Sequence, residues 1–192
     1  MWFGITEERL KTEAALDLLE KNRPHLPQVL SYFPDVLFHY GRNDSAYRYL
    51  LEILDPEFAG RGMPEVVFAA VGAAATGLMG ISPDAPRKML ETRSRLPKGV
   101  EWVKLSRLPI LQNEVSIYHR GTIETTITNQ AGPLFEWQAS FSARAGSLKP
   151  RIVVDGSPID ATAERQTNQQ TIVSVRVPVN PGQTRTAKLE SN

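Results

Sequence analysis

The chain has no cysteine. That single absence removes disulfides, thiolate metal sites and a cysteine nucleophile together. Neither sign of charge is in excess, because 22 basic and 21 acidic residues leave a net charge of +1. No basic cluster disturbs that balance, so a nucleic-acid partner is not expected. With 3 histidines and no cysteine, no ligand spacing for a metal can be drawn, and no cofactor is expected. No serine is framed by a nucleophile elbow. Gly72, Gly77 and Gly80 follow no strand, which removes a phosphate-cradling loop. The N-terminus lacks an uninterrupted apolar core, since Glu7, Glu8, Arg9, Lys11 and Glu13 break it. No signal peptide is therefore read, and the chain would be cytoplasmic if complete as given. Internal repeats are absent, and Gln166 to Gln170 is the only patch of low complexity. The longest uncharged stretch, Val66 to Ser82, falls short of the ~20 residues of a membrane span. It also contains several glycines and lacks basic or aromatic flanks, so a membrane partner is not expected.

What is present begins with that uncharged stretch. Pro64 suits a first helical position, and Glu65 places an acid in the first turn. Gly80 stands where a left-handed C-cap is wanted, and Pro83 and Pro86 forbid continuation. Between these ends there is no polar stripe, which predicts a helix buried on all sides. Gly72 and Gly77 predict close packing, since interior glycine otherwise weakens a helix by about 0.5–1 kcal/mol.

Upstream, Thr6 can cap a helix with Glu7 and Glu8 in its first turn. Leu10, Ala14 and Leu18, with Ala15 and Leu19 beside them, form its apolar face, and the helix ends near Asn22. Val29 to Tyr40 is apolar but broken by Pro34, predicting a short helix or turn and then another. Asn43 or Asp44 caps the next helix, whose face includes Ala46, Leu50, Ile53 and Leu54, and Asp55-Pro56 ends it.

From Arg87 the period becomes two. Val115, Ile117 and His119 alternate on one strand, Arg120-Gly121 turns, and Ile123, Thr125 and Ile127 alternate on the return. Phe135, Trp137, Ala139 and Phe141 share one strand face. Asp155-Gly156 is a hairpin turn signal, and Val173, Val175, Val177 and Val179 form a last alternating run. Several short strands with turns between them predict a β-sandwich.

A run of helical hairpins, a Pro-rich joint and then a sandwich is a recognisable order. The residues that carry it are the Ala/Gly-rich helix ending Gly77-Leu78-Met79-Gly80-Ile81, the Pro83 to Pro86 joint, and Leu96-Pro97 before Glu101-Trp102. The strand pair from Val115 to Thr128, with Asn129, and the segment Val153-Val154-Asp155-Gly156 also carry it. The whole resembles the C-terminal end of six-hairpin glycosidases, in particular bacterial α-L-rhamnosidase-like enzymes. The resemblance covers most of the chain. It implies an α+β chain whose residues 1–86 are the end of an (α/α)6 toroid and whose residues 87–192 are a closing antiparallel β-sandwich. It also implies that the family's general acid has no counterpart here, so the fragment would be inactive alone. Its partners would be carbohydrate, through the complete enzyme, and the rest of the toroid or a second copy of the chain.

Glycoside hydrolysis usually needs two carboxyl groups, about 5–5.5 Å apart in retaining enzymes and about 6.5–9.5 Å in inverting ones. The helical half offers Asp35, Asp44, Asp55, Glu57 and Glu65. Glu65 is the candidate, because a helix N-terminus favours an ionised base or a hydroxyl acceptor. The competing reading makes it an acid that stabilises its own helix. Arg61 is a candidate partner for Glu65 or for a sugar hydroxyl, and His39 and Tyr40 are candidates for a pocket rim. Asp44 reads as an N-cap. Trp102, Phe135, Trp137 and Phe141 read either as a sugar platform or, by their alternation, as core. A non-catalytic carbohydrate-binding module and a structural or oligomerisation module remain the alternative functions. Uncovered helix faces would favour association.

Overall fold

The computed structural model describes residues 9–60, 62–143, 151–165 and 171–190. The readings placed on Thr6, Glu7, Glu8, Arg61 and Gln166 to Gln170 lie outside the described residues. The chain forms two compact units, Met1–Leu78 and Met79–Asn192. Helices make the first and strands the second, so the fold is α+β with N-terminal helices and a C-terminal sandwich. The segment from Met79 to Pro86 goes with the strands, because Met79 and Ile81 sit in their core.

The helical unit contains α1 (Arg9–Lys21), α2 (Pro27–Ser31), α3 (Phe33–His39), α4 (Asn43–Leu54) and α5 (Pro64–Gly72). A π-helical segment, Ala73–Leu78, continues α5. Proline opens α2 and α5, where its missing N–H costs nothing. Leu16, Leu37, Phe38, Tyr49, Leu50 and Ile53 are among the buried side chains. Phe33 meets Tyr49 edge to face at 5.4 Å.

Three readings of this unit are corrected. Leu18 is 59% exposed and Ala14 and Ala15 lie outward, while Leu16 is buried. The reason is Arg42, whose guanidinium pairs with Glu13 and Asp17 at 2.7 Å and with Glu20 at 2.6 Å. Those three acids form one helical stripe, and anchoring it turns Leu16 inward and Leu18 out. Burial alone would lower the Arg42 pKa. The hydrogen bonds to Glu13, Glu20 and Asp17 outweigh it and raise the pKa above the usual arginine value. Replacing Arg42 by Met is expected to cost about 2 kcal/mol. Urea unfolding followed by circular dichroism checks this, and the loss should shrink in molar salt.

The second correction concerns the caps. Neither Asn43 nor Asp44 caps α4, because Arg42 occupies the N-cap without a side-chain bond and Asp44 lies in the first turn. The third concerns the Ala/Gly-rich helix. It is not buried on all sides, since Val67, Phe68 and Val71 are 49%, 76% and 62% exposed. Only one face, with Val66, Ala70 and Ala73, packs inward. Gly77 does mark a close approach, because a Cβ there would stand 2.6 Å from the Phe38 ring. Gly72 does not, as a Cβ added there would meet nothing within 4 Å.

Among the described residues the second unit holds eleven strands in two sheets. One sheet combines β1 (Ser82–Asp84), β2 (Met89–Thr92), β6 (Phe135–Ala143), β9 (Thr162–Arg165) and β10 (Thr171–Val179), in the order β1-β2-β6-β10-β9. The other combines β3 (Trp102–Ile110), β4 (Asn113–Arg120), β5 (Glu124–Ala131), β7 (Arg151–Val154), β8 (Ser157–Ile159) and β11 (Thr184–Glu190), in the order β3-β4-β5-β11-β7-β8. Inner faces from both sheets share one core, including Leu90, Ile117, Ile127, Trp137, Ile152 and Val175. Every pairing among these strands is antiparallel except β2 with β6. The long connection from β2 through β3, β4 and β5 permits that parallel pair.

The expected turns form. Asp155 and Gly156 both take positive φ, +50° and +83°, as the two-residue β7–β8 turn requires. Asp155 Oδ1 also accepts the Thr186 N–H at 2.8 Å. Asn129 is buried and donates to the carbonyls of Pro133 and Val179, tying the β5 end to its neighbours.

Candidate functional site

Glu65 sits in the first turn of α5 and is exposed. Its carboxylate makes no hydrogen bond or ion pair with a described residue, so it is open to solvent at the positive end of the helix. His39 ends α3 and is exposed, and Tyr40 follows as its C-cap. Their rings meet edge to face at 5.0 Å. The structure thus brings His39 and Tyr40 together. No described hydrogen bond joins either to Glu65.

Of the other candidate carboxylates, Asp35 is half-buried and contacts one side-chain hydroxyl. It lies in the first turn of α3, with Oδ1 3.2 Å from the Thr76 hydroxyl. The Thr76 hydroxyl shares its one proton between Asp35 and the Gly72 carbonyl, the latter 2.8 Å away, a back-bond that bends helices, here in the π-helical segment. Glu57 and Asp55 lie exposed beyond α4, where Asp55 Oδ1 accepts the Glu57 N–H. Among the described residues no group of His, Asp and Glu is placed to hold a metal ion. No helix of the described residues is long and apolar enough to cross a membrane.

In the sandwich the aromatic set divides. Phe135, Trp137 and Phe141 are core, at 1%, 0% and 1% exposure. Trp137 donates its indole N–H to the buried Thr92 hydroxyl at 2.9 Å, so even its polar edge is used internally. Trp102 is 58% exposed and lies against Tyr118, with ring centres 6.2 Å apart. Period-two alternation placed Trp137 correctly. It did not separate Trp102 from the core set, because β3 is an edge strand whose faces are fixed only by its partner β4.

His119 is fully buried between two polar groups. Nε2 lies 3.0 Å from the Met79 carbonyl and Nδ1 2.8 Å from the Thr125 hydroxyl. A carbonyl can only accept, so Nε2 carries the proton and Nδ1 accepts from Thr125. Burial pushes the His119 pKa down to about 4, with the bond to Met79 opposing the shift. The ring is a neutral structural crosslink.

No family model and no curated protein matches the chain. Among solved structures it is similar to an α-L-rhamnosidase from Dictyoglumus thermophilum, at a TM-score of 0.60 and 16% identity. That likeness covers 95% of this chain and 23% of the enzyme. A GH127 β-L-arabinofuranosidase from Geobacillus stearothermophilus T6 aligns with 66% of this chain and 19% of its own, at a TM-score of 0.34 and 9% identity. The rhamnosidase likeness shows a shared fold, helices followed by a sandwich, in a chain spanning under a quarter of that enzyme.

Proposed function

We propose that the chain is the C-terminal portion of a glycoside hydrolase of the α-L-rhamnosidase-like, six-hairpin kind. Its helices complete a toroid, and its sandwich is the module that follows the toroid in the chain. The parent reaction is hydrolysis of a glycosidic bond by two carboxylates, with carbohydrate as substrate. The general acid comes from hairpins outside this chain, and the chain is inactive alone. The carrying observation is the fold likeness over 95% of the chain. The uncovered apolar side chains support it: Leu18, Leu51, Leu54, Val67, Phe68 and Val71 are all exposed, as expected where further helices pack. Glu65, open at its helix end, serves as a substrate-binding or base carboxylate, with Arg61, His39 and Tyr40 as binding residues.

The test starts from the DNA upstream of Met1. A continuous reading frame with further helical hairpins is expected, and the complete polypeptide should hydrolyse an aryl α-L-rhamnoside while this chain alone does not. Phe68→Glu should leave the stability of this chain within about 0.5 kcal/mol, since the ring is already in water. In the complete polypeptide it should cut activity at least tenfold by opening the helix packing. An upstream stop with no hairpins overturns the reading. It would favour the alternative of an oligomerisation module, for which the same exposed face is the evidence. A concentration-dependent mass in light scattering, lost in Phe68→Glu, would identify that case.

A further inference from the structure

The outward face of the six-stranded sheet carries rows of polar side chains outside the residues assigned above. Strand register sets its rows. Lys104 faces Tyr118, Tyr118 faces Thr126, and Thr126 faces Thr186 across four strands. At about 4.8 Å per strand step, that row is about 14 Å long. The next row places Ser116 opposite Thr128 and Thr128 opposite Thr184. Trp102, largely exposed, lies beside Tyr118, with its ring tilted 31° to that of Tyr118. A cavity of about 400 Å³ opens over this grid, lined by Lys104, Ser116, Tyr118, Thr126, Thr128 and Gln130 among others.

The hydrogen-bonding state of the grid defines what it can take. Thr126 and Thr186 share one hydrogen bond of 2.9 Å, and so do Thr128 and Thr184. Each pair uses one proton between two hydroxyls and keeps one O–H for a ligand. Ser116 accepts the Arg107 N–H and lies 2.9 Å from Gln130 Oε1, to which it donates. The Gln130 amide NH2 is therefore left pointing to no described partner. Lys104 has no described ion-pair partner, and no carboxylate lines the cavity.

We propose that this face binds an acidic oligosaccharide, one carrying uronic-acid units. An aromatic pair offers a surface for the C–H face of a sugar ring. The threonine pairs and the Gln130 amide match ring hydroxyls, and the unopposed Lys104 ammonium selects a carboxylate. An apolar protein partner would leave the hydroxyl rows unsatisfied, and a nucleic acid would meet few positive charges, Lys104 and the Arg120 opposite Trp102, the latter facing Glu124. The cavity is of a size for about one or two sugar rings, within the usual range of ligand sites.

The test is a titration of the whole chain with tetragalacturonate, followed by amide NMR, with cellotetraose as the neutral comparison. Shifts should map to β3, β4 and β5, and tetragalacturonate should bind several-fold more tightly. Trp102→Ala should weaken binding about tenfold, and Trp102→Phe should retain most of it. Lys104→Gln should remove the preference for the acidic sugar and its salt dependence. Both side chains are exposed, so a thermal melt should show each variant folded. No binding at millimolar ligand, equal binding of cellotetraose, or full binding by Trp102→Ala would each overturn the proposal. None of these outcomes bears on whether the helices complete a toroid.

Discussion

Gly80→Ala is expected to destabilise the strand unit by at least about 4 kcal/mol, enough to prevent its folding in many settings. Gly80 has φ of +58°, a conformation that costs an L side chain about 1–2 kcal/mol by itself. The larger part is steric. A Cβ at this position would stand 2.0 Å from the Arg93 carbonyl oxygen, a backbone atom that cannot swing aside. The Arg93 N–H also donates to the Gly80 carbonyl at 3.2 Å, so moving the two segments apart would break that bond as well. Gly99→Ala is the matched control. Its φ is +88°, but nothing lies within 4 Å of its Cβ position, so it should cost about 1 kcal/mol. Urea unfolding of both variants measures the contrast. Equal effects at the two sites would mean that φ alone, and not the close approach to Arg93, sets the requirement for glycine.

Acid should weaken the same unit through His119. The unfolded chain takes up a proton on this residue near pH 6.5, whereas in the folded chain uptake waits until about pH 4. Between those values the unfolded state binds more protons, so stability falls as pH falls. About 3 kcal/mol should be lost from pH 7 to pH 4, with little further loss from this residue below that range. His119→Gln keeps a neutral donor and acceptor in the cavity but cannot titrate. It should be less stable at pH 7 and should lack this part of the pH slope. Denaturant midpoints across that pH range decide the matter, and an unchanged slope in His119→Gln would remove the assignment.

How far the sequence could be read follows from where burial is decided. Strands of the sandwich were legible because alternation alone tells inner from outer faces, as with Val173 to Val179 on β10 and Phe135 to Phe141 on β6. The Asp155-Gly156 turn was legible because few residues tolerate two successive positive φ values. The helices were legible in extent and less so in orientation. Leu18 fits an apolar stripe as well as Leu16 does, and the choice was made by Arg42 from outside that helix. The Ala/Gly-rich helix shows a different limit. Its sequence has no polar stripe, so composition says that all faces avoid water but not what covers them. Phe68 and Val71 are exposed in this chain although their sequence context reads as interior. The candidate site was the least legible part. Glu65 could be placed at a helix start, but a second carboxylate cannot be paired with it from spacing. Trp102, Tyr118 and Lys104 come together only through strand register.

The parallel pairing in the sandwich has a kinetic meaning. Strand β2 docks beside β6 with Met89 opposite Glu136, although β3, β4 and β5 lie between them in the chain. A hairpin such as β4–β5 can zip from its own turn, in microseconds. Strand β2 has no such local start toward β6, because the intervening meander must first bring β6 within reach. Closing that loop, together with the longer one that pairs β5 with β11, raises the contact order of the domain and places its folding with the slower β-topologies. The Trp137–Thr92 bond, which joins these two strands in the interior, can form only once that loop has closed.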